Sequence, residues 1–216
     1  MQGRAAGTGM TAEAIRGLFA GPDGGFRFAR WGRQVAPVIF GTDDATLATL
    51  HAALAQVAAL GGRSLAGSDP ETGANLMIFF LRDWSEIAAI PDFGRMVGEG
   101  APDAAGLAAA GAQRYRRFRF DASGAIRAAF ALVLLEGERD GIAAEVLALE
   151  EAVRLTLAWG PQAFAEHGAV EVRGGQAVIR PEIAALIRAA HDPVLPAASG
   201  DPALALRLAA RIAAAG

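Results

Sequence analysis

Tyr115-Arg116-Arg117-Phe118-Arg119-Phe120-Asp121-Ala122-Ser123-Gly124-Ala125-Ile126-Arg127-Ala128-Ala129-Phe130-Ala131-Leu132-Val133-Leu134 is the stretch that decides the fold class. Arg117 and Arg119 alternate with Phe118 and Phe120, and Ile126, Ala128, Phe130, Leu132 and Leu134 alternate again. Period two puts successive side chains on opposite faces of a strand. Asp121 to Gly124 supply turn residues between the two runs, so the stretch predicts a β-hairpin. The alternation predicts phenylalanines facing inward and arginines facing outward.

The period changes on the C-terminal side. After the loop at 136–140, Val146, Leu149, Val153 and Leu157 recur at three and four residues, which predicts a long helix from about 142 to 159, stopped by Gly160-Pro161. Toward the N-terminus, Asn75-Leu76-Met77-Ile78-Phe79-Phe80-Leu81 is a short apolar run between the loop at 68–73 and Arg82-Asp83, and reads as a central strand. Two short helical stretches follow it, around 84–90 and 93–98, and then a Gly/Ala/Pro-rich region up to Gly111. Before it, Leu47, Leu50, Leu54, Val57 and Leu60 mark an amphipathic helix capped by Thr42 or Asp43 and ended by Gly61-Gly62. Phe26 to Trp31 and Val35 to Phe40 read as extended, with Pro37 favouring an edge position. Thr11 caps a first short helix, 170–179 forms a small hairpin, Pro181 opens a helix that halts at Asp192-Pro193, and Asp201-Pro202 opens a terminal one. The order predicts an α+β fold: a mixed sheet, a long helix after the hairpin, helices largely on one side, and a helical C-terminal tail. Residues 1–25 read as an N-terminal helix and loop, and 26–216 as a single α+β domain.

Composition narrows the chemistry. The 216 residues contain neither lysine nor cysteine, so all 20 basic side chains are arginines. A Schiff base, a P-loop lysine, a thiolate nucleophile, a disulfide and a cysteine-held metal are thereby excluded. A hydrophobic share of 53% supports a full core, and a net charge of -3 gives no general attraction to nucleic acid. No run reaches the roughly 20 apolar residues of a membrane-spanning helix. No apolar segment follows Arg4, so no signal peptide is expected and the cytoplasm is the expected compartment; a mature periplasmic fragment would read the same way.

Few groups remain for a site. His51, His167 and His191 share no helical spacing. Glu150 and Glu151 lie on the long helix, where an HExxH zincin motif would carry two histidines one turn apart. Here both histidine positions are apolar, and Glu150 reads as a solvated helix carboxylate. His191 stands where a cationic ring would meet a helix C-terminus favourably. Arg117 and Arg119 could grip a carboxylate or phosphate. The basic and aromatic interleaving resembles that of nucleic-acid binders, but a solvated strand face accounts for it. No serine stands in a GxSxG elbow, and no glycine cluster has a dinucleotide-binding setting.

Taken together, Arg30-Trp31, Pro37-Val38-Ile39, Ala74-Asn75-Leu76-Met77-Ile78, the turn at 121–124 with Ile126-Arg127-Ala128, Glu150-Glu151 before Leu157-Ala158-Trp159-Gly160, and the stretch from Ile183 into Asp192-Pro193 resemble the bacterial domain of unknown function 2927 family, whose fold looks like a reduced zincin. The resemblance runs from about Phe28 to Ile212, and implies a zincin-like architecture with Glu150 at the position of a motif glutamate. The chain departs from the family's pattern in lacking cysteines and a visible leader, and from catalytic zincins in lacking the ligand histidines. The expectation is a non-catalytic, zincin-like domain without a cofactor that binds a protein partner or small ligand. One alternative is an atypical metal- or carboxylate-dependent hydrolase using Glu150, Glu151 and His167. Another is a structural homo-oligomer formed through the Ala/Leu-rich terminal helix.

Overall fold

The computed structural model describes residues 10–67, 73–98, 100–135 and 141–215. The loop at 136–140, most of the loop at 68–73 and the residues read for a signal peptide lie outside these. In chain order the elements are α1 (Ala12–Leu18), β1 (Phe28–Ala29), β2 (Pro37–Phe40), α2 (Asp44–Leu60), β3 (Leu76–Leu81), a 3-10 helix (Trp84–Ala89), α3 (Phe93–Val97), α4 (Ala104–Ala109), β4 (Arg114–Phe120), β5 (Ile126–Leu134), α5 (Gly141–Thr156), β6 (Val170–Arg173), β7 (Gln176–Ile179), α6 (Pro181–Ala190), β8 (Ala198–Ser199) and α7 (Ala203–Ala215).

The main sheet is mixed, in the order β2-β3-β5-β4. β2, β3 and β5 are parallel, and β4 returns antiparallel to β5 through the hairpin. Pro37 opens the edge strand β2, where a missing N–H is tolerated. Asp43 Oδ1 accepts the Thr46 N–H at 2.8 Å and so starts α2; Gly61 ends it. Thr11 caps α1 in the same way at 3.2 Å.

One face of the sheet carries Leu76, Ile78 and Phe80 of β3 with Ile126, Ala129, Ala131 and Val133 of β5. Against them pack Leu50, Leu54 and Val57 of α2 and Ala148, Leu149, Ala152 and Val153 of α5. Ile15 and Phe19 at the N-terminus and Leu204 and Leu208 of α7 complete the same core. Each fully buried large aliphatic side chain there contributes roughly 1.5–3 kcal/mol.

The helices do not keep to one side. Phe79, Leu81, Phe130 and Leu132 point to the reverse face, where Trp84, Ile87, Phe93 and Val97 cover them. The reason is in the strands: β3 is apolar at every position, and a strand apolar on both sides needs cover on both. The Trp84 Nε1–H donates to Ala112 O at 3.1 Å and ties this second layer down. α4 is a further correction: a segment read as an irregular region is a short helix capped by Asp103, whose Oδ1 accepts the Gly106 N–H at 2.6 Å.

Candidate functional site

β4 and the end of α5 bring five charged side chains together beneath the sheet edge. Arg114 and Arg116 share the face of β4 turned toward α5. Arg114 Nε lies 3.1 Å from Glu151 Oε1, and Arg154 Nη2 lies 3.2 Å from Glu150 Oε2, one turn back on the same helix. Arg116 donates from its two Nη atoms to the carbonyls of Arg154 and Trp159. Glu150 Oε1 accepts the Val170 N–H at 2.9 Å, which fixes β6 to the helix.

Glu150 is therefore not a solvated carboxylate: it is 9% exposed and Glu151 only 3%. Both face inward because α5 is covered by the hairpin on one side and by the 163–170 segment on the other. Burial pushes the Glu151 carboxyl above its usual range, against the opposing pull of Arg114, Arg154 and Arg116. Burial also lowers Arg116 to about 10, with the like charge of Arg154 adding to the shift. Among the described residues, every oxygen of Glu150 and Glu151 that approaches a partner approaches an arginine or a backbone N–H. Glu151 Oε1 lies at ion-pair distance from Arg114, but off the direction of its N–H, and has no aligned hydrogen bond.

The inward and outward assignment on the hairpin also changes. Phe120 is 49% exposed, whereas Arg116 is half-buried. Arg117 and Arg119 lie on the opposite face of β4 from Arg116, over the loop after α3. Arg117 Nη1 and Arg119 Nη2 make long contacts of 3.5 Å to the carbonyls of Gly100 and Arg95, and the Arg119 guanidinium sits 5.7 Å from the Phe130 ring centroid. His167 is exposed in the loop after α5, beside Gly168, where the backbone passes close to Glu150 Oε1. The structure thus brings Glu150 and Glu151 together with Arg114, Arg116 and Arg154, and leaves Arg117 and Arg119 on the other side of the sheet. Among the described residues no three His, Asp or Glu side chains converge to hold a metal.

His191 sits at the C-terminal end of α6 as expected, with Nδ1 2.9 Å from Ile187 O. Its surroundings disfavour the cationic ring. Burial lowers its pKa below the ordinary imidazole value, and Arg30 and Arg63 add to that.

Above the ion network, where β4 meets the end of α5, a groove of about 670 Å³ opens. Phe118 and Phe120 present surface to it, and the buried rings of Phe19, Phe28 and Trp159 form its floor. Phe19 stacks on Trp159 with centroids 5.0 Å apart and meets Phe28 edge-on at 5.2 Å. Trp159 Nε1–H donates to Val153 O at 2.7 Å, so the indole cannot swing out without breaking that bond, and Arg116 holds the Trp159 backbone carbonyl at 3.0 Å. Gly21-Pro22, Ser123-Gly124, Gly160-Pro161 and Ser199-Gly200 form the rim. Glycine is required at 160, because a Cβ there would run into the Ala20 carbonyl, and its N–H donates to Leu18 O at 2.8 Å. Arg27 is the one charged side chain of the lining, and it is paired with Asp23 at 2.6 Å. Of the two hydroxyls, Ser123 Oγ donates to Asp121 Oδ1 at 2.6 Å and Ser199 Oγ accepts the Asp201 N–H at 3.0 Å.

The sequence reading missed this groove. Gly160-Pro161 reads in sequence only as a helix stop, and Ser123-Gly124 only as turn residues. The available signal was that aromatic residues stand within a few positions of each of these breaks. No family model, curated protein or solved structure matches the chain.

Proposed function

We propose that this protein is a non-catalytic binding domain whose ligand is a small, largely apolar molecule seated in the groove between the β4–β5 hairpin, the end of α5 and the 19–22 segment. The observation that carries this reading is the groove's make-up: a concavity of about 670 Å³ with Phe118 and the half-exposed Phe120 on its open side, the buried rings of Phe19, Phe28 and Trp159 beneath them, and its one charged side chain, Arg27, paired with Asp23. Ligand sites are typically concavities of roughly 300–1,000 Å³ with apolar walls and few polar groups. Phe120, half exposed at the mouth, is a large aromatic surface left in water that a ligand would cover.

The non-catalytic part of the proposal draws on what lies around the groove. Both lining hydroxyls have carboxylate or backbone partners within their own turns, and neither has an imidazole beside it to act as a base. Glu150 and Glu151, at the position where a zincin-like chain would keep its motif glutamate, serve in this reading as anchors that fix Trp159 and β6. In that sense the domain is a zincin-like scaffold turned to binding.

Titration with Nile red, a neutral apolar fluorophore, tests the proposal. Saturable 1:1 binding that Phe120→Asp weakens at least tenfold supports it. Absence of saturable binding, or binding indifferent to Phe120→Asp, contradicts it.

A further inference from the structure

A second and larger cavity, about 1250 Å³, lies away from the aromatic groove, between α6, the last turns of α7, the β6–β7 hairpin and the end of α2. Its lining is unlike that of the first. Four guanidiniums from three parts of the fold, Arg173, Arg180, Arg188 and Arg211, converge on it. Its three carboxylates are fewer, and two of them are paired with three of the four arginines, which leaves Arg188 outside an ion pair among the described residues. Glu171 is shared between Arg173 at 2.6 Å and Arg180 at 3.6 Å, and Asp192 is paired with Arg211 at 3.2 Å.

Two further arginines reinforce one end. Arg30 and Arg63 stand close enough to His191, which lines the cavity, for their charges to weigh on its titration. Arg30 is likewise close to Asp192. The lining holds four arginines against three acids, Glu171, Glu182 and Asp192, an excess of one positive charge in a chain of net charge -3. Alanines of α6 and α7 leave the space between the guanidiniums open.

We propose that this cavity binds a small organic polyanion, one carrying at least two carboxylate or phosphoryl groups set apart along α6. Guanidinium is the side chain suited to both groups, because its fork of N–H donors matches their oxygens. Arg180 caps the start of α6 and Arg188 lies in its last turn, so roughly 12 Å of helix separates their backbones at 1.5 Å per residue. That spacing selects an elongated molecule over a single inorganic ion. Glu182, at the first turn of the same helix, disfavours dense negative charge next to Arg180 and leaves room for a hydroxyl or amine on the ligand.

Isothermal titration with citrate and with pyrophosphate at matched ionic strength tests this, using the wild type, Arg188→Gln, Arg211→Gln and Phe120→Asp. Arg188 is exposed, so its replacement leaves the fold intact even if Arg211→Gln proves unstable. The expected result is saturable 1:1 binding of at least one anion, weakened about tenfold by Arg188→Gln and unchanged by Phe120→Asp. Preference for citrate identifies a carboxylate ligand, and preference for pyrophosphate a phosphoryl one. No saturable heat with either anion, or equal affinity in Arg188→Gln, overturns the proposal and leaves Arg173, Arg180 and Arg211 as partners of Glu171 and Asp192 alone.

Discussion

Glu150 Oε1 accepts the backbone N–H of Val170 at 2.9 Å, twenty residues away, while its other oxygen meets Arg154. One carboxylate thus joins α5 to the small β6–β7 hairpin and neutralises a largely buried guanidinium. Removing it leaves the Val170 N–H without its acceptor and Arg154 without its carboxylate, with only the Ala163 carbonyl at 3.4 Å as acceptor. Glu150→Ala is expected to cost about 3 kcal/mol of unfolding free energy, measured by urea denaturation. Added zinc should not stabilise the wild type; stabilisation by stoichiometric zinc that Glu150→Ala abolishes would revive the metal-site reading of Glu150, Glu151 and His167.

Arg116 links the ion network to the groove, since it donates to the Arg154 and Trp159 carbonyls. Arg116→Met keeps most of the unbranched apolar stem and loses the donors. Stability should fall by roughly 2 kcal/mol, and Nile red affinity should fall with it because the Trp159 backbone is released. Lost stability with unchanged affinity would mean that Arg116 does not position the groove.

Gly61 ends α2 with its Cα against the His191 ring. A Cβ at that position would stand 2.6 to 2.8 Å from three ring atoms, and the ring is tethered through Nδ1 to Ile187 O. Gly61→Ala should destabilise by about 1–3 kcal/mol, and His191→Ala should relieve much of that cost in a double-mutant cycle. Strict additivity of the two substitutions would show that the ring moves aside freely.

His191 also sets a pH dependence. Its folded pKa is lowered, chiefly by burial, so the unfolded chain takes up the proton first, near pH 6.5. The stability it contributes is present above pH 6.5 and is lost as pH falls toward and through the lower folded value. Glu151 acts in the opposite sense: its raised pKa means a contribution that is lost as pH rises through the folded value. Comparing melting temperatures of the wild type and His191→Gln isolates the histidine. The wild type should lose more stability than the variant between pH 7 and 5; parallel curves would contradict the assignment.

Much of the fold was legible because the elements are locally consistent. The apolar run Leu76–Leu81, the turn before Ile126, the Asp43 and Thr11 caps and the Gly61 and Pro181 boundaries all announce themselves within a few residues. The second layer was less so. Its helices are short, and the sign that one was needed is the reverse face of β3 and β5, visible only once both strands are placed side by side. The fate of Glu150 and Arg116 was illegible for a related reason. Alternation gives the two faces of β4, but which face meets α5 depends on a tertiary contact, and that contact turns an apparent surface carboxylate into a buried one. The aromatic groove is assembled from five separate segments, so no single window of sequence contains it.

The binding account rests on the aromatic groove, and fluorescence titration of the wild type and Phe120→Asp with Nile red reaches it most directly. The account expects one saturable site in the wild type, accompanied by a change in Trp159 emission, and at least a tenfold loss of affinity in the variant. A wild type that gives no saturable signal, or a variant that binds as tightly as the wild type, would contradict it.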